Sequence, residues 1–368
     1  MRNSSAATER ADPPETELPA EMRAAVYRGA NRVTLETVPV PRITGRELLV
    51  RIHSCGVCGT DLKKIERGLL APPRIFGHEM AGTVVRVGEL VTKFTPGDRV
   101  AVYHHVPCRQ CFYCRKKLFS QCEQYRRTGT TAGFEPAGGG FAAYARVMDW
   151  IVEEGTIPIP AHVSFEEATF LEPLNTCLKA LETAALKPEE VVVIFGQGPV
   201  GLLFAQAAVN EGAQVIGLDF IQRRLEVSRE MGARFALNPN QDGLKSVVGR
   251  LTEDRGADLA VIATADARAV NAAQDVVRRG GRILLFSNTV PGEMIPVEAS
   301  RICMQEQQLI GSYSSSAELQ GKAADLIFGG RINVARLVSH RLPLDRFAEA
   351  IDIASHPSED SLKVIVQP

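Results

Sequence analysis

The stretch from Val191 to Asp219 limits the fold more than any other. An apolar run, VVVIF (191–195), leads into Gly196-Gln197-Gly198-Pro199-Val200-Gly201. That turn opens the apolar, helix-like segment GLLFAQAAV, and a second apolar run, QVIGLD (214–219), follows. The glycine pattern alone is a weak signal. Between a strand and a helix it has a physical meaning: glycines permit a tight turn and close backbone approach to a pyrophosphate, whose charge faces the free N–H groups of the helix start. Four further apolar runs, RFALN (234–238), DLAVIAT (258–264), RILLFS (282–287) and QLIGSY (308–313), continue the series, most of them separated by helical patterns. Strands apolar along their whole length, alternating with helices, are buried on both faces of a parallel sheet. Six of them fit a complete doubly wound dinucleotide fold. Gly196, Gly198, Val200 and Gly201 are candidate cofactor contacts, as are Phe286 and Ser287 at the end of the fifth run. Asp219 stands where an acid hydrogen-bonds the adenosine ribose and repels a 2′-phosphate, which favours NAD over NADP. Arg224, five residues on, borders the adenine ribose in this reading. Two alternatives stay open: a ligand-free glycine turn, and a NADP clamp made by Arg223 and Arg224.

The rest of the chain reads differently. From Met22 to about residue 155, short alternating or β-branched runs (RAAVYR, RVTLETV, ELLVRIHS, GTVVRVG, DRVAVY, FAAYARV) are separated by turn signals such as Pro96-Gly97-Asp98. Such spacing predicts a barrel-like β unit. Ser164-Phe165-Glu166-Glu167 is a capping box opening a helix at the junction. In the tail, Leu344, Phe347 and Ile351 share a helical face and LKVIV (362–366) reads as a last strand that rejoins the first unit. Residues 1–21, polar and with three prolines, read as a disordered extension without a secretory signal. The 368 residues are 45% hydrophobic with a net charge of -1, which gives no support for binding nucleic acid or a membrane surface. No apolar run reaches the roughly 18 residues of a membrane span.

The cysteines carry the second chemical signal. Cys108, Cys111, Cys114 and Cys122 form C-x2-C-x2-C-x7-C. Four thiolates so close can surround one tetrahedral zinc with no open position, a structural site. Disulfides or an iron–sulfur cluster are the alternatives. A second group is scattered: Cys58 after one strand, His78 and Glu79 before another, and Glu172 at the junction. A thiolate, an imidazole and a carboxylate beside a dinucleotide domain suit a zinc with one position left open for substrate. A redox pair, Cys55-x-x-Cys58, is the competing reading.

With VCGTD (57–61), GHEMAGTVVRVG (77–88), the Cys108–Cys122 cluster, LEPL (171–174) and GQGPVG (196–201) in view, the chain resembles the zinc-containing medium-chain alcohol dehydrogenase superfamily over residues 22–368. The resemblance implies a GroES-like catalytic domain, residues 22–165 and 314–368, split by a Rossmann domain, residues 166–313. It makes Cys58, His78 and Glu172 the protein ligands of a catalytic zinc and Glu79 a glutamate that can exchange onto it. Thr60 becomes the acceptor of the substrate proton, and Asp61 a carboxylate that orients His78. Glutamate rather than cysteine at 172 resembles the sorbitol/iditol and threonine dehydrogenase branch, as does the C-terminal stretch from Gly311. Many members carry a histidine five residues after the ligand cysteine, as the end of a proton relay; here it is Lys63. His53, His104 and His105 match no ligand position and read as ordinary strand or loop residues.

The expected activity is oxidation of a secondary alcohol of polyol or sugar-alcohol type to a ketone, with hydride transfer to NAD. L-threonine 3-dehydrogenase activity and a non-catalytic NAD-binding role are the alternatives. A cytoplasmic protein is expected, and the resemblance implies a homo-oligomer, dimer or tetramer.

Overall fold

In the computed structural model, the described residues are 18–124, 129–134, 138–241, 243–287, 292 and 294–368. The expected extension therefore lies mostly outside the described residues. Its end is placed earlier than expected, because strand Glu21–Gly29 already begins at Glu21.

Six strands form one sheet in the spatial order Phe235–Leu237, Gln214–Leu218, Val191–Phe195, Ala257–Ile262, Val277–Leu285, Gln308–Gly311. Every pairing in it is parallel. In sequence numbering this is 3-2-1-4-5-6, so the chain works outward on one side of Val191–Phe195 and then returns to build the other. The reversal leaves a crevice at the carboxyl end of the central strands, where ligands of such folds sit. The continuous apolar runs are explained by burial on both faces. Val192, Ile194, Val261 and Leu284 pack into one buried cluster with Leu202, Leu203 and Phe204 of helix Pro199–Asn210. Their neighbours Val191, Val193, Ala260 and Ile283 face the other way, onto Val247, Val248 and Ala273.

A second, mixed sheet of eight strands runs Val338–Pro343, Lys363–Gln367, Leu48–Gly56, Glu79–Val87, Arg99–Val102, Thr156–Pro158, with Tyr144–Val147 also lying against Leu48–Gly56 and Thr130–Thr131 against Tyr144–Val147. This is the GroES-like unit. The final strand pairs with its third, Ile365 opposite Gly56 and Val366 opposite Cys55, so the tail returns across the whole Rossmann segment. The capping box at Ser164 is present: its hydroxyl accepts from the Glu167 N–H and the Glu167 carboxylate accepts from the Ser164 N–H. It caps only one turn, Phe165–Ala168, before the longer helix Leu171–Thr183 begins.

One register decides where the chemistry goes. Gly56 pairs with Glu79 in the antiparallel ladder between Leu48–Gly56 and Glu79–Val87. Cys58, two residues past one strand, and His78, one residue before the other, are thereby brought to the same sheet end.

Ile194 is fully buried at the centre of the parallel sheet. Ile194→Ala is expected to lower unfolding stability by about 2–5 kcal/mol and Ile194→Val by about 0.5–1.5, read from urea midpoints at unchanged slope.

Candidate active site

Cys58 caps the helix Gly59–Arg67: its backbone is extended and its sulfur accepts the Thr60 peptide N–H at 3.5 Å. The same first turn places Asp61, wholly buried, with Oδ1 3.1 Å from His78 Nδ1. A carboxylate on Nδ1 turns Nε2 outward as the free ligand atom. Cys58, His78 and Glu79 each offer a ligand atom within 4.8 Å of the others, a buried or half-buried set of sulfur, nitrogen and oxygen.

The electrostatics match that set. Burial works against charging His78, but the Asp61 carboxylate and the Cys58 sulfur more than offset it and raise its pKa well above the ordinary value. Burial likewise opposes the Asp61 charge, and His78 beside it reverses the balance and lowers its pKa. Several anionic groups converge on one buried point, an arrangement that a divalent cation satisfies. The donor chemistry fits zinc.

The ligand distances single out Glu79 as the carboxylate partner of Cys58 and His78, and Glu172 stands outside that trio. It lines the same cavity, with its Oε1 3.9 Å from His105 Nδ1. Burial pushes its carboxyl up to about 7, against the pull of His78 and with the push of Glu79. Glu79, by contrast, is ion-paired with Lys363.

Three residues here escaped the sequence reading. His104 and His105, taken above as ordinary, line the cavity that holds Cys58, His78 and Glu172. His105 Nδ1 lies 3.2 Å from Ser314 Oγ, and burial keeps both rings well below the usual histidine pKa. The paired histidines just before the Cys108 cluster were the available signal. Lys363 offered none, since only the pairing of the last strand brings it to Glu79. His53 is the strand residue expected, bonded to Thr83 Oγ1 and stacked on Phe165.

Cys108, Cys111, Cys114 and Cys122 have sulfurs within 4.8 Å of one another, and none is in a disulfide. Arg109 and Lys117, both in left-handed backbone, fold the loop back on itself. The peptide N–H groups of Cys114 and Glu123 pull Cys111 down to about 6, whereas burial and neighbouring sulfurs push Cys114 up to about 12. Four thiols so close cannot all ionise without a cation among them, which is what a closed four-thiolate zinc site supplies.

At the glycine turn, Gly196 has φ +94 and Gly201 sits so near that an added Cβ would lie 1.8 Å from the Gly196 carbonyl oxygen. The buried Gln197 amide braces the turn from below, donating to the Ile194 and Gly196 carbonyls and accepting from Ser228 Oγ. Gly198, Val200, Gly201 and Arg224 line the cavity that also contains Cys58 and His78; Thr60, Lys63, Phe286 and Ser287 line both this cavity, about 390 Å³, and a larger adjoining one of about 1040 Å³. Gly196 and Asp219 line neither. The Asp219 carboxylate instead accepts the Gln197 N–H at 2.7 Å and the Ile221 N–H at 2.9 Å, with Arg224 3.7 Å away.

The alcohol dehydrogenase GroES-like domain model matches residues 44–160, and the zinc-binding dehydrogenase model matches residues 199–329. The chain belongs to the zinc-binding alcohol dehydrogenase family. Sorbitol dehydrogenase of Bacillus subtilis (strain 168) is 30% identical to this dehydrogenase over 357 residues, covering 95% of this chain and 98% of the relative. D-arabitol-phosphate dehydrogenase of Enterococcus avium is 29% identical over 348 residues, covering 92% and 95%. A solved structure described as a zinc-binding dehydrogenase from Sinorhizobium meliloti 1021, bound to NADP, superposes with a TM-score of 0.85 at 27% identity, covering 95% of this chain and all of that one. Among the described residues no helix is long and apolar enough to cross a membrane.

Two substitutions separate the metal sites. Cys111→Ser is expected to remove one zinc per chain and lower thermal stability. Asp61→Asn should keep the zinc of the cysteine cluster and weaken the other about 10–100-fold, read by zinc content against a graded chelator.

Proposed function

We propose that this dehydrogenase oxidises a secondary hydroxyl of a polyol to the ketone with NAD as acceptor. One observation carries the reading: the buried sulfur–imidazole–carboxylate set opens into the same cavity as the glycine turn, so reacting alcohol and dinucleotide meet in one place. Cys58 and His78 hold the catalytic zinc, with Glu79 and Glu172 as the available carboxylates. When bound, zinc makes an alcohol hydroxyl more acidic and NAD accepts the hydride.

The side chains do the remaining work. Thr60, at the first turn of the helix behind Cys58, takes the hydroxyl proton and hands it outward along the cavity wall. Lys63 stands where the relay would continue, so the proton leaves to solvent near a cation. Asp61 fixes His78 in the tautomer that presents Nε2. Phe286 and Ser287, at the end of the fifth strand, border the nicotinamide, and closure of the cleft against water keeps the reacting groups in contact. Glu172 in place of a thiolate, and likeness to a sorbitol dehydrogenase, support a polyol. Asp219 on the edge of the turn supports NAD, while the bound NADP of the Sinorhizobium structure makes the choice worth measuring. A homo-oligomer belongs to the same reading, supported by the open outer edge of Gln308–Gly311 and by exposed Val297 and Met304 just before it in sequence.

The test is nucleotide reduction over a panel of polyols, simple alcohols and L-threonine, with NAD and NADP side by side. Reduction of NAD by polyols, abolished by a chelator and restored by zinc, is the expected result; chelator-insensitive turnover would overturn it. Thr60→Val should lower kcat by about 10²–10⁴ with zinc content unchanged.

A further inference from the structure

The larger cavity is an extension of the reaction site, because Thr60, Phe286 and Ser287 line it as well as the metal cavity. Its outer wall is cationic. Lys179 comes from helix Leu171–Thr183, Lys117 from the lobe of the cysteine cluster and Arg67 from the end of helix Gly59–Arg67. Three elements distant in sequence thus turn positive groups into one space.

Lys179 is the informative one. It is half-buried, and burial alone brings its pKa down to about 8. Its ammonium donates to Ser120 Oγ at 3.1 Å and to the Tyr313 carbonyl at 2.5 Å. Among the described residues, no carboxylate forms an ion pair with it. Among the described residues, the acids on the same wall are Glu182, Asp266 and Glu318. Asp266 is held by both ends of the Arg268 guanidinium, Glu318 lies toward Arg109, and Glu182 is exposed on the solvent side. A desolvated ammonium bonded only to neutral oxygens is unfavourable in itself and gains from an arriving anion.

We propose that the cavity beyond Thr60 is an anion subsite built on Lys179, with Lys117 and Arg67 at its rim, and that the substrate is a polyol bearing a charged end group, a phosphate or a carboxylate, remote from the carbon that is oxidised. The proposal rests on the polyol reading above and narrows it. The reacting hydroxyl takes the metal end, and the far end is read by charge. An uncharged hexitol would leave the ammonium without a counter-ion.

The experiment titrates sorbitol, sorbitol 6-phosphate and gluconate into the zinc-loaded full-length protein by calorimetry, and measures NAD reduction with each in parallel. One of the two anions should bind at least about tenfold more tightly than sorbitol, and which one does identifies the end group. That preference should collapse in Lys179→Met and persist in Lys179→Arg, with the loss appearing in KM rather than kcat. Equal affinity for all three, or no binding of either anion, overturns the subsite, and so does a preference indifferent to Lys179→Met. Tight, Lys179-dependent anion binding without NAD reduction upholds the subsite and counts against the polyol oxidation reading instead.

Discussion

The arrangement on which this molecule depends is the convergence of like-charged and easily charged groups on a point with little water. Cys58, His78 and Glu79 meet within ligand distance, with Asp61 behind the histidine and Glu172 beside it. In a low-dielectric interior such a set is stable only with compensating positive charge. Part of that charge comes from His78, whose pKa is raised, and from Lys363 paired with Glu79. A zinc held by these residues would add to it.

The fold supplies the convergence through strand register rather than local sequence. The antiparallel pairing that sets Gly56 opposite Glu79 fixes the distance between Cys58 and His78, and the last strand locks that edge from the other side. A slip by one residue would turn the side chains to opposite faces and dissolve the site. Gly201 acts similarly on the cofactor side: the helix can approach the turn only because no Cβ stands between it and the Gly196 carbonyl. Metal set and glycine turn then share a cavity because the GroES-like sheet and the parallel sheet meet there.

Much of this was legible in the sequence. Apolar runs with helices between them can be buried only in a parallel sheet, so the six strands and their fold followed from pattern alone. The four-cysteine cluster was legible because its ligands lie within one short loop, and its geometry is set by that loop's own backbone turns. Cys58, His78 and Glu79 were found from short motifs, and the structure brings them together. The placing of Glu172 beside that trio, and of Glu79 against Lys363, was not, because it depends on groups brought in from distant strands.

His105, Lys363 and Lys179 mark where sequence reading ends. Each is an ordinary residue in its local context and acquires its meaning from groups far away in the chain. By itself the sequence determined the elements, the two metal-binding compositions and the dinucleotide turn, since these depend on interactions over a few residues or a single periodicity. Only the tertiary structure decided which side chains face one another across the cavities, because burial and electrostatic pairing are set by long-range strand order and not by any local pattern.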